Sequence, residues 1–214
     1  MRLFSTRPPA RIAHRAAAAA LAILSMVPRG DAVGQESARN AAPALTPELQ
    51  QLRLALDKYK DPIVAVHDGY LSTLGCIAYD KGGSEGTMPY AAGGMGVHFL
   101  NMQLIGKPID PLKPQVLIYE PAGDKLRLVA AEWFVPVEAA GGQRPKVGGM
   151  ELEGPMVGHE PLMPAGLHHY DLHVWLWKTN PLGVYAPTNP TVTCPSTGYS
   201  FAESAPIMAT HGPP

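Results

Sequence analysis

Hydrophobic positions that follow residue 45 recur at the spacing of a helix. One apolar stripe is formed by Leu49, Leu52, Leu56 and Tyr59. Directly before it, Thr46 offers a capping hydroxyl, Pro47 suits the first helical position, and Glu48 puts an acid in the first turn. The pattern predicts an amphipathic helix that begins here. Asp61-Pro62 predicts a second, short helix that ends near Gly69.

Further along, the hydrophobic pattern has the two-residue period of strands, and it predicts strands over residues 95–101, 115–120, 126–135 and 168–178. A turn at residues 121–124 joins the second and third strands into a hairpin. Long stretches rich in glycine and proline, residues 80–94 and 138–164, separate the other strands. The sequence therefore predicts an α+β fold that is mostly β: an N-terminal helical segment, then an antiparallel sheet or small barrel with long Pro/Gly-rich loops.

Composition agrees with a small domain rich in turns. Of the 214 residues, 22 are glycine and 23 are proline, which excludes a helix bundle. Charged residues make up 16% and hydrophobic residues 46%, so the bulk of the chain is neither disordered nor a binder of nucleic acid. No apolar run reaches the roughly 20 residues of a membrane-spanning helix.

Residues 1–34 have the pattern of a secretory signal peptide. They carry five arginines and no acid before Asp31, and an apolar stretch over residues 16–27 follows the basic run. Ala32 and Gly34 fit cleavage before Gln35. Because the stretch is uniformly apolar, export is favoured over an amphipathic mitochondrial transit peptide. We therefore expect a periplasmic or secreted protein.

The rest of the chain is expected to comprise a linker over residues 35–45, a single globular domain over 46–205 and a flexible tail over 206–214. Cleavage removes five of the 17 basic residues and one of the 18 acidic residues, which leaves a net charge of about −5. An acidic chain is a poor partner for nucleic acid or an anionic membrane. The sequence leaves open whether the chain forms a homo-oligomer.

The two cysteines, Cys76 and Cys194, are expected to form one disulfide in an oxidising compartment. This bond would close a loop of about 120 residues and constrain the unfolded chain. The alternative is that the two thiols bind a metal ion.

Three potential metal ligands alternate along the last predicted strand. Since alternate residues of a strand point to the same face, His169, Asp171 and His173 share one face, together with Trp175 and Trp177. Successive positions on a face lie about 7 Å apart, so neighbouring members of this set fit one ion more easily than His169 with His173.

Two further polar residues lie in otherwise apolar strands. His98 is the only ionisable side chain of its strand, and Glu132 lies in the middle of another. The expected neighbours of Glu132 on its face are Leu128, Ala130 and Phe134. Because a buried carboxylate needs a donor or a cation, we expect His98, Glu132 and the His-Asp-His face to converge. Such a ligand set suits divalent Zn, Fe, Mn or Cu.

A second candidate lies in the loop over residues 138–164. Met156, His159 and Met163 offer the soft ligands that Cu(I) prefers, and simple packing of the methionines is the alternative. His159 and Glu160 could instead fold over His98 as a lid.

Several motifs resemble those of a family of small exported bacterial proteins described only as hypothetical. They are 95–98 (Met-Gly-Val-His), Tyr119-Glu120, 131–133 (Ala-Glu-Trp), 158–161 (Gly-His-Glu-Pro), 169–177, Asn180-Pro181 and 189–194. The resemblance covers roughly residues 50–195. It implies a secreted single domain and says nothing about a reaction.

The sequence has no Gly-x-Ser-x-Gly motif and no phosphate-binding glycine loop before a helix. We therefore expect an exported small domain that binds a divalent metal in a His/carboxylate cluster and could be a metal-dependent enzyme, with Glu132 or Asp171 as base. One alternative is a non-catalytic binding or assembly protein whose His cluster is structural, held by His–Glu and His–Asp hydrogen bonds without an ion. Another is a pocket for a small organic molecule.

Overall fold

The computed structural model describes residues 45–160 and 163–195. The predicted signal peptide (1–34), the predicted linker apart from Leu45, and the predicted tail (206–214) lie outside the described residues. Among the described residues, no helix has the length and apolar character needed to cross a bilayer.

Two short helices open the described chain, as the hydrophobic pattern predicts. Helix α1 is Pro47–Leu56, continued by a 3₁₀ turn Asp57–Lys60, and α2 is Pro62–His67. The Thr46 hydroxyl accepts a hydrogen bond from the Leu49 backbone N–H at 3.3 Å. The Asp61 carboxylate accepts a hydrogen bond from the Ile63 backbone N–H at 2.9 Å. These caps satisfy backbone donors that would otherwise lack partners at each helix start.

Strands dominate the rest of the fold, so the prediction of a mostly β protein is confirmed. They are β1 (Leu71–Tyr79), β2 (Gly83–Glu85), β3 (Met88–Tyr90), β4 (Gly93–Leu100), β5 (Val116–Ala122), β6 (Lys125–Pro136), β7 (Lys146–Val147), β8 (Met150–Glu151), β9 (Glu153–Met156) and β10 (His169–Val174). Six of them form an antiparallel sheet in the order β1-β4-β5-β6-β10-β9. This sheet is open, with β1 and β9 at its edges, so the antiparallel sheet is confirmed and the small barrel is not.

Two predicted loops contain strands. Residues 80–94 form a small hairpin, β2 with β3, and then enter β4, while residues 138–164 contain β7, β8 and the edge strand β9. The last predicted strand is shorter than 168–178, because its ladder with β6 ends at Val174. Trp175 still packs on the face of the sheet that carries His173, whereas Trp177 packs on the opposite side. The prediction that Trp177 shares this face is therefore wrong.

The sheet has one face against the helices and one face that carries the polar residues. The helix face includes Phe99, Leu117 and Trp133, which pack with α1 residues such as Leu52 and Leu56. The opposite face, called the site face here, has an apolar floor of Val116, Ile118, Ala130, Phe134 and Trp175. Burial of both faces is the main stabilisation available to such a sheet.

Strand β6 contains a bulge, and because of it one predicted neighbour of Glu132, Leu128, lies on the other face of the sheet. Ile118 lies opposite Ala130, but Tyr119 lies opposite Leu128, so Val129 is an extra residue in the ladder. The bulge turns Leu128 to the helix face, while Ala130 stays on the site face. Leu128 therefore does not share a face with Glu132.

A disulfide and a pair of hydrogen bonds attach the C-terminal segment to the sheet edge. Cys76 in β1 is bonded to Cys194, which confirms the predicted pairing and removes both sulfurs as thiol ligands. The backbones of Gly94 and Asn189 also exchange two hydrogen bonds, at 2.9 and 3.0 Å.

Candidate metal centre

Strand β10 presents three buried polar side chains on the site face. His169, Asp171 and His173 are 0%, 1% and 2% exposed. On β6, His173 lies opposite Glu132 and Asp171 opposite Phe134, and on β9 His169 lies opposite Met156. The two-residue period of the strand thus brings one carboxylate from β6 directly beside the His-Asp-His series.

A first group consists of His98, Glu132 and His173, each contributing one ligand atom, and these atoms lie within 4.8 Å of one another. The Nε2 atom of His98 is 3.4 Å from Glu132 Oε2, and the Nε2 atom of His173 is 3.6 Å from the same oxygen. Strands β4, β6 and β10 supply one residue each. All three residues are buried.

A second group lies beside the first and consists of His159, His169 and Asp171, again with ligand atoms within 4.8 Å. His169 Nε2 is 4.0 Å from Asp171 Oδ2. His159 follows β9, and its carbonyl accepts a hydrogen bond from the Met163 backbone N–H at 2.8 Å.

Most polar atoms of these two groups have no hydrogen-bond partner among the residues that the structure describes. The buried atoms without one are His98 Nδ1, Glu132 Oε2, His169 Nε2, Asp171 Oδ1 and Oδ2, and His173 Nδ1 and Nε2. A buried polar atom without a partner costs roughly 1–3 kcal/mol, so a cluster of them calls for a physical reason. The separations of 3.4 to 4.0 Å exceed or lie at the limit of hydrogen bonding. They suit two atoms that each lie about 2 Å from one metal ion.

Burial keeps the imidazoles of His173, His159 and His169 in the form that binds metals. Burial lowers the pKa of His173 to about 4, although the Glu132 carboxylate acts in the opposite direction. Burial also lowers the pKa of His159 and of His169. Neutral rings have a lone pair available for a cation at neutral pH.

The two carboxylates differ in their surroundings. Burial acts to raise the pKa of Glu132, but the neighbouring imidazoles of His173 and His98 outweigh it and bring that pKa to about 2. Burial, followed by repulsion from Glu132 and other acids, raises the pKa of Asp171 well above its usual range. A cation between Asp171 and its neighbours would favour the ionised carboxylate.

Both histidines of the second group have their Nδ1 atoms engaged outside the group. His169 Nδ1 is 3.2 Å from the Leu167 carbonyl oxygen and can donate to it. His159 Nδ1 contacts the Glu85 carboxylate, which also accepts a hydrogen bond from the Tyr79 hydroxyl. A carbonyl or carboxylate behind the ring is the arrangement typical of metal-binding histidines, and it leaves Nε2 for the ion.

A cavity of about 320 Å³ opens on the site face. His98 and Glu132 of the first group and His159 of the second line its polar end. The remaining described wall is largely apolar, with side chains that include Ile77, Leu100, Ile105 and Phe134. Such a wall accommodates an apolar portion of a small molecule.

The predicted site residues therefore divide between two places. Of the predicted set, His98, Glu132 and His173 form the first group, and His169 and Asp171 belong to the second, as the spacing along a strand favours. His159, predicted in the lid or second site, completes the second group. Glu160 is exposed, and its carboxylate accepts only a long bond, 3.4 Å, from Ala165 N–H.

The two methionines of the proposed Cu(I) set pack in different apolar clusters. Met156 packs with Tyr90 and Met95, and its sulfur accepts a hydrogen bond from the Tyr90 hydroxyl at 3.0 Å. Met163 packs instead against the apolar floor of the site face and lines the cavity. This arrangement favours the packing alternative for Met156.

Sequence reasoning did not find Glu85 or Tyr79, which support His159. Both lie in or beside the glycine-rich stretch that was expected to be a loop. The only signal was a carboxylate between two glycines, Gly83 and Gly86, which is too common to indicate a site.

The chain matches no protein-family model, and neither the curated proteins nor the solved structures include one with significant similarity to it.

Proposed function

We propose that this protein binds a divalent transition-metal ion through His98, Glu132 and His173. One observation carries the proposal. The Nε2 atoms of both imidazoles lie 3.4 and 3.6 Å from one buried carboxylate oxygen that has no hydrogen-bond partner among the described residues. A cation between them gives each atom a partner and offsets the cost of burying them.

The donor set indicates which ions to expect. Two imidazoles and one carboxylate suit Zn, Fe, Mn and Cu in the divalent state, whereas Ca²⁺ and Mg²⁺ prefer oxygen ligands throughout. Three protein ligands leave a coordination position free for water or a substrate, as in catalytic rather than structural zinc sites. Since His98 and Glu132 line the cavity, we place that free position towards it.

A metal at this position would act chemically on a small molecule bound in the cavity. The ion would polarise the molecule or activate water or O₂, and the apolar wall would hold the rest of the substrate and exclude bulk water. Enzymatic activity is thus part of the proposal.

Export is also part of the proposal. The signal-peptide pattern of residues 1–34 supports it, and so does the Cys76–Cys194 disulfide, since disulfides persist mainly in oxidising compartments. The protein would then acquire its metal in the periplasm or outside the cell.

Metal analysis of protein purified without a histidine tag tests whether the first group binds a metal ion. We expect bound Zn, Fe, Mn or Cu in stoichiometric amount, and at least a tenfold loss of affinity in His98→Gln. His168→Gln is the matched control, because His168 is exposed and adjacent to β10 but belongs to neither group. Native protein that contains no transition metal and does not bind added Zn²⁺ would overturn the proposal.

Cobalt substitution distinguishes an open site from a closed structural one. We expect azide added to the Co²⁺-loaded protein to change its visible spectrum, because azide can occupy the free position. A spectrum that does not respond to azide would indicate a closed, structural metal site and would contradict the free coordination position.

A further inference from the structure

We infer that the second group, His159, His169 and Asp171, holds a second metal ion beside the first and that the His173 ring lies between the two ions. This inference rests on the proposed function and extends it to a two-metal centre. The ligand would be a second divalent transition-metal ion, since the donors are again two imidazoles and one carboxylate.

The histidines of the second group are oriented towards a common point by partners behind them. The Leu167 carbonyl lies at Nδ1 of His169, and the Glu85 carboxylate contacts Nδ1 of His159. His169 Nε2 is fully buried and has no hydrogen-bond partner in the described part of the chain. A purely structural histidine would not need a fixed ring with its other nitrogen unpaired in an apolar interior.

Asp171 adds two unpaired oxygens at the same place. Within residues 45–160 and 163–195, neither Oδ1 nor Oδ2 finds a hydrogen-bond partner, although the residue is 1% exposed. Its Oδ2 atom lies 4.0 Å from His169 Nε2 and 3.8 Å from His173 Nδ1. Both separations exceed hydrogen-bond length, and both permit a metal ion that is shared with the oxygen.

The His173 ring connects the two groups. Its Nε2 atom faces Glu132 of the first group at 3.6 Å, and its Nδ1 atom faces Asp171 of the second at 3.8 Å. Neither nitrogen has a hydrogen-bond partner from the segments that the structure describes. One ion would satisfy one nitrogen only, whereas two ions use both, with the imidazole as a bridge after loss of its proton to solvent.

Two ions on this surface face the same cavity. His98 and Glu132 from the first group and His159 from the second all line it. A small molecule with an anionic or easily polarised head could therefore contact both ions while its apolar part lies against Phe134 and Leu100.

Titration of the metal-free, full-length exported protein with Cu²⁺ is the decisive experiment. We expect two ions per chain in the wild-type protein and one in His169→Gln or in His98→Gln, with two retained in His168→Gln. In the wild-type protein, the EPR signal of two bound Cu²⁺ ions should be much smaller than twice the signal of one, because a bridging imidazole couples their spins.

The outcomes separate the two proposals. No bound ion in the wild-type protein contradicts the proposed function. One ion per chain that is lost in His98→Gln but retained in His169→Gln supports the proposed function and overturns the second site. Two ions with additive EPR signals overturn the bridging position of His173. The wild-type measurements need no variant, so they remain decisive even if a substitution prevents folding.

Discussion

Gly96 shows how closely the backbones of β4 and β5 approach beside the first group. Its φ is +105°, and a Cβ added there would lie 2.6 Å from the Tyr119 carbonyl oxygen and 2.9 Å from Ile118 Cγ2. Glycine is therefore required at this position, two residues before His98. The close approach of the two backbones, and not metal binding, therefore explains why Gly96 is a glycine.

Gly96→Ala is expected to destabilise the protein by about 2 kcal/mol or more, because it combines an unfavourable φ with backbone contact. Gly166→Ala is the control, since a Cβ there meets no atom within 4 Å. We expect the control to change the free energy of unfolding by less than about 0.5 kcal/mol. Urea denaturation measures both. Equal midpoints for the two variants would contradict the expectation.

Individual residues of the candidate site could be predicted where a local rule applies. Alternation along one strand places His169, Asp171 and His173 on one face, and a lone Glu132 in an apolar strand implies a partner. The position of His159 depends on the short segment that follows β9, and its support by Glu85 depends on a short hairpin that is distant in the sequence. Neither contact leaves a periodic signal in the sequence.

At the scale of elements, α1 packs against the sheet through one stripe of apolar side chains. Leu56 is 2% exposed and packs in the core between the helices and the sheet, whereas Leu54 in the same helix is 74% exposed. The two residues therefore form a natural pair for measuring what this packing contributes.

Leu56→Ala is expected to lower the free energy of unfolding by about 2–5 kcal/mol, because it removes buried methyl groups and leaves a cavity. Leu54→Ala should change it by less than about 0.5 kcal/mol, since its side chain is in water. Both substitutions keep a helix-forming residue, so helix propensity does not explain a difference. Equal losses in chemical denaturation would show that α1 does not pack as described.

Elements with strong periodicity or clear caps were predictable, and elements fixed by pairing were not. The cap at Thr46 and the hairpin of β5 and β6 follow from local sequence. The bulge at Val129 depends on register with β5, and the end of β10 at Val174 depends on where β6 stops pairing. Register is a property of two strands together, so neither strand alone reveals it.

At the scale of the whole molecule, the disulfide is a covalent link between two distant parts of the chain. Cys76 and Cys194 are 118 residues apart in sequence, and neither belongs to a metal group. The bond should therefore affect stability without changing the chemistry of the site.

Replacement of both cysteines by serine is expected to lower the free energy of unfolding by about 5 kcal/mol in the chain-entropy view, because the unfolded chain regains its freedom. Metal stoichiometry, measured below the unfolding transition, should be unchanged. A double variant as resistant to urea as the wild-type protein would contradict the first expectation, and one that is folded but binds no metal would contradict the second.

Metal binding should also stabilise the folded state as a whole, because the groups exist only when the sheet is assembled. Zn²⁺ at 100 times its dissociation constant is expected to add about 3 kcal/mol and to raise the melting temperature. A chelator should reverse the shift, and His98→Gln should reduce it while His168→Gln retains it. Identical melting curves with Zn²⁺ and with chelator would argue against a metal in the folded protein.

His98 and His173 are brought together only when β4, β5, β6 and β10 lie side by side. An unfolded chain therefore carries no complete first group, whatever ions surround it. An ion held there is taken up after the sheet has formed. Its identity then depends on which metals are present where folding is completed, as well as on the affinity order of the donors.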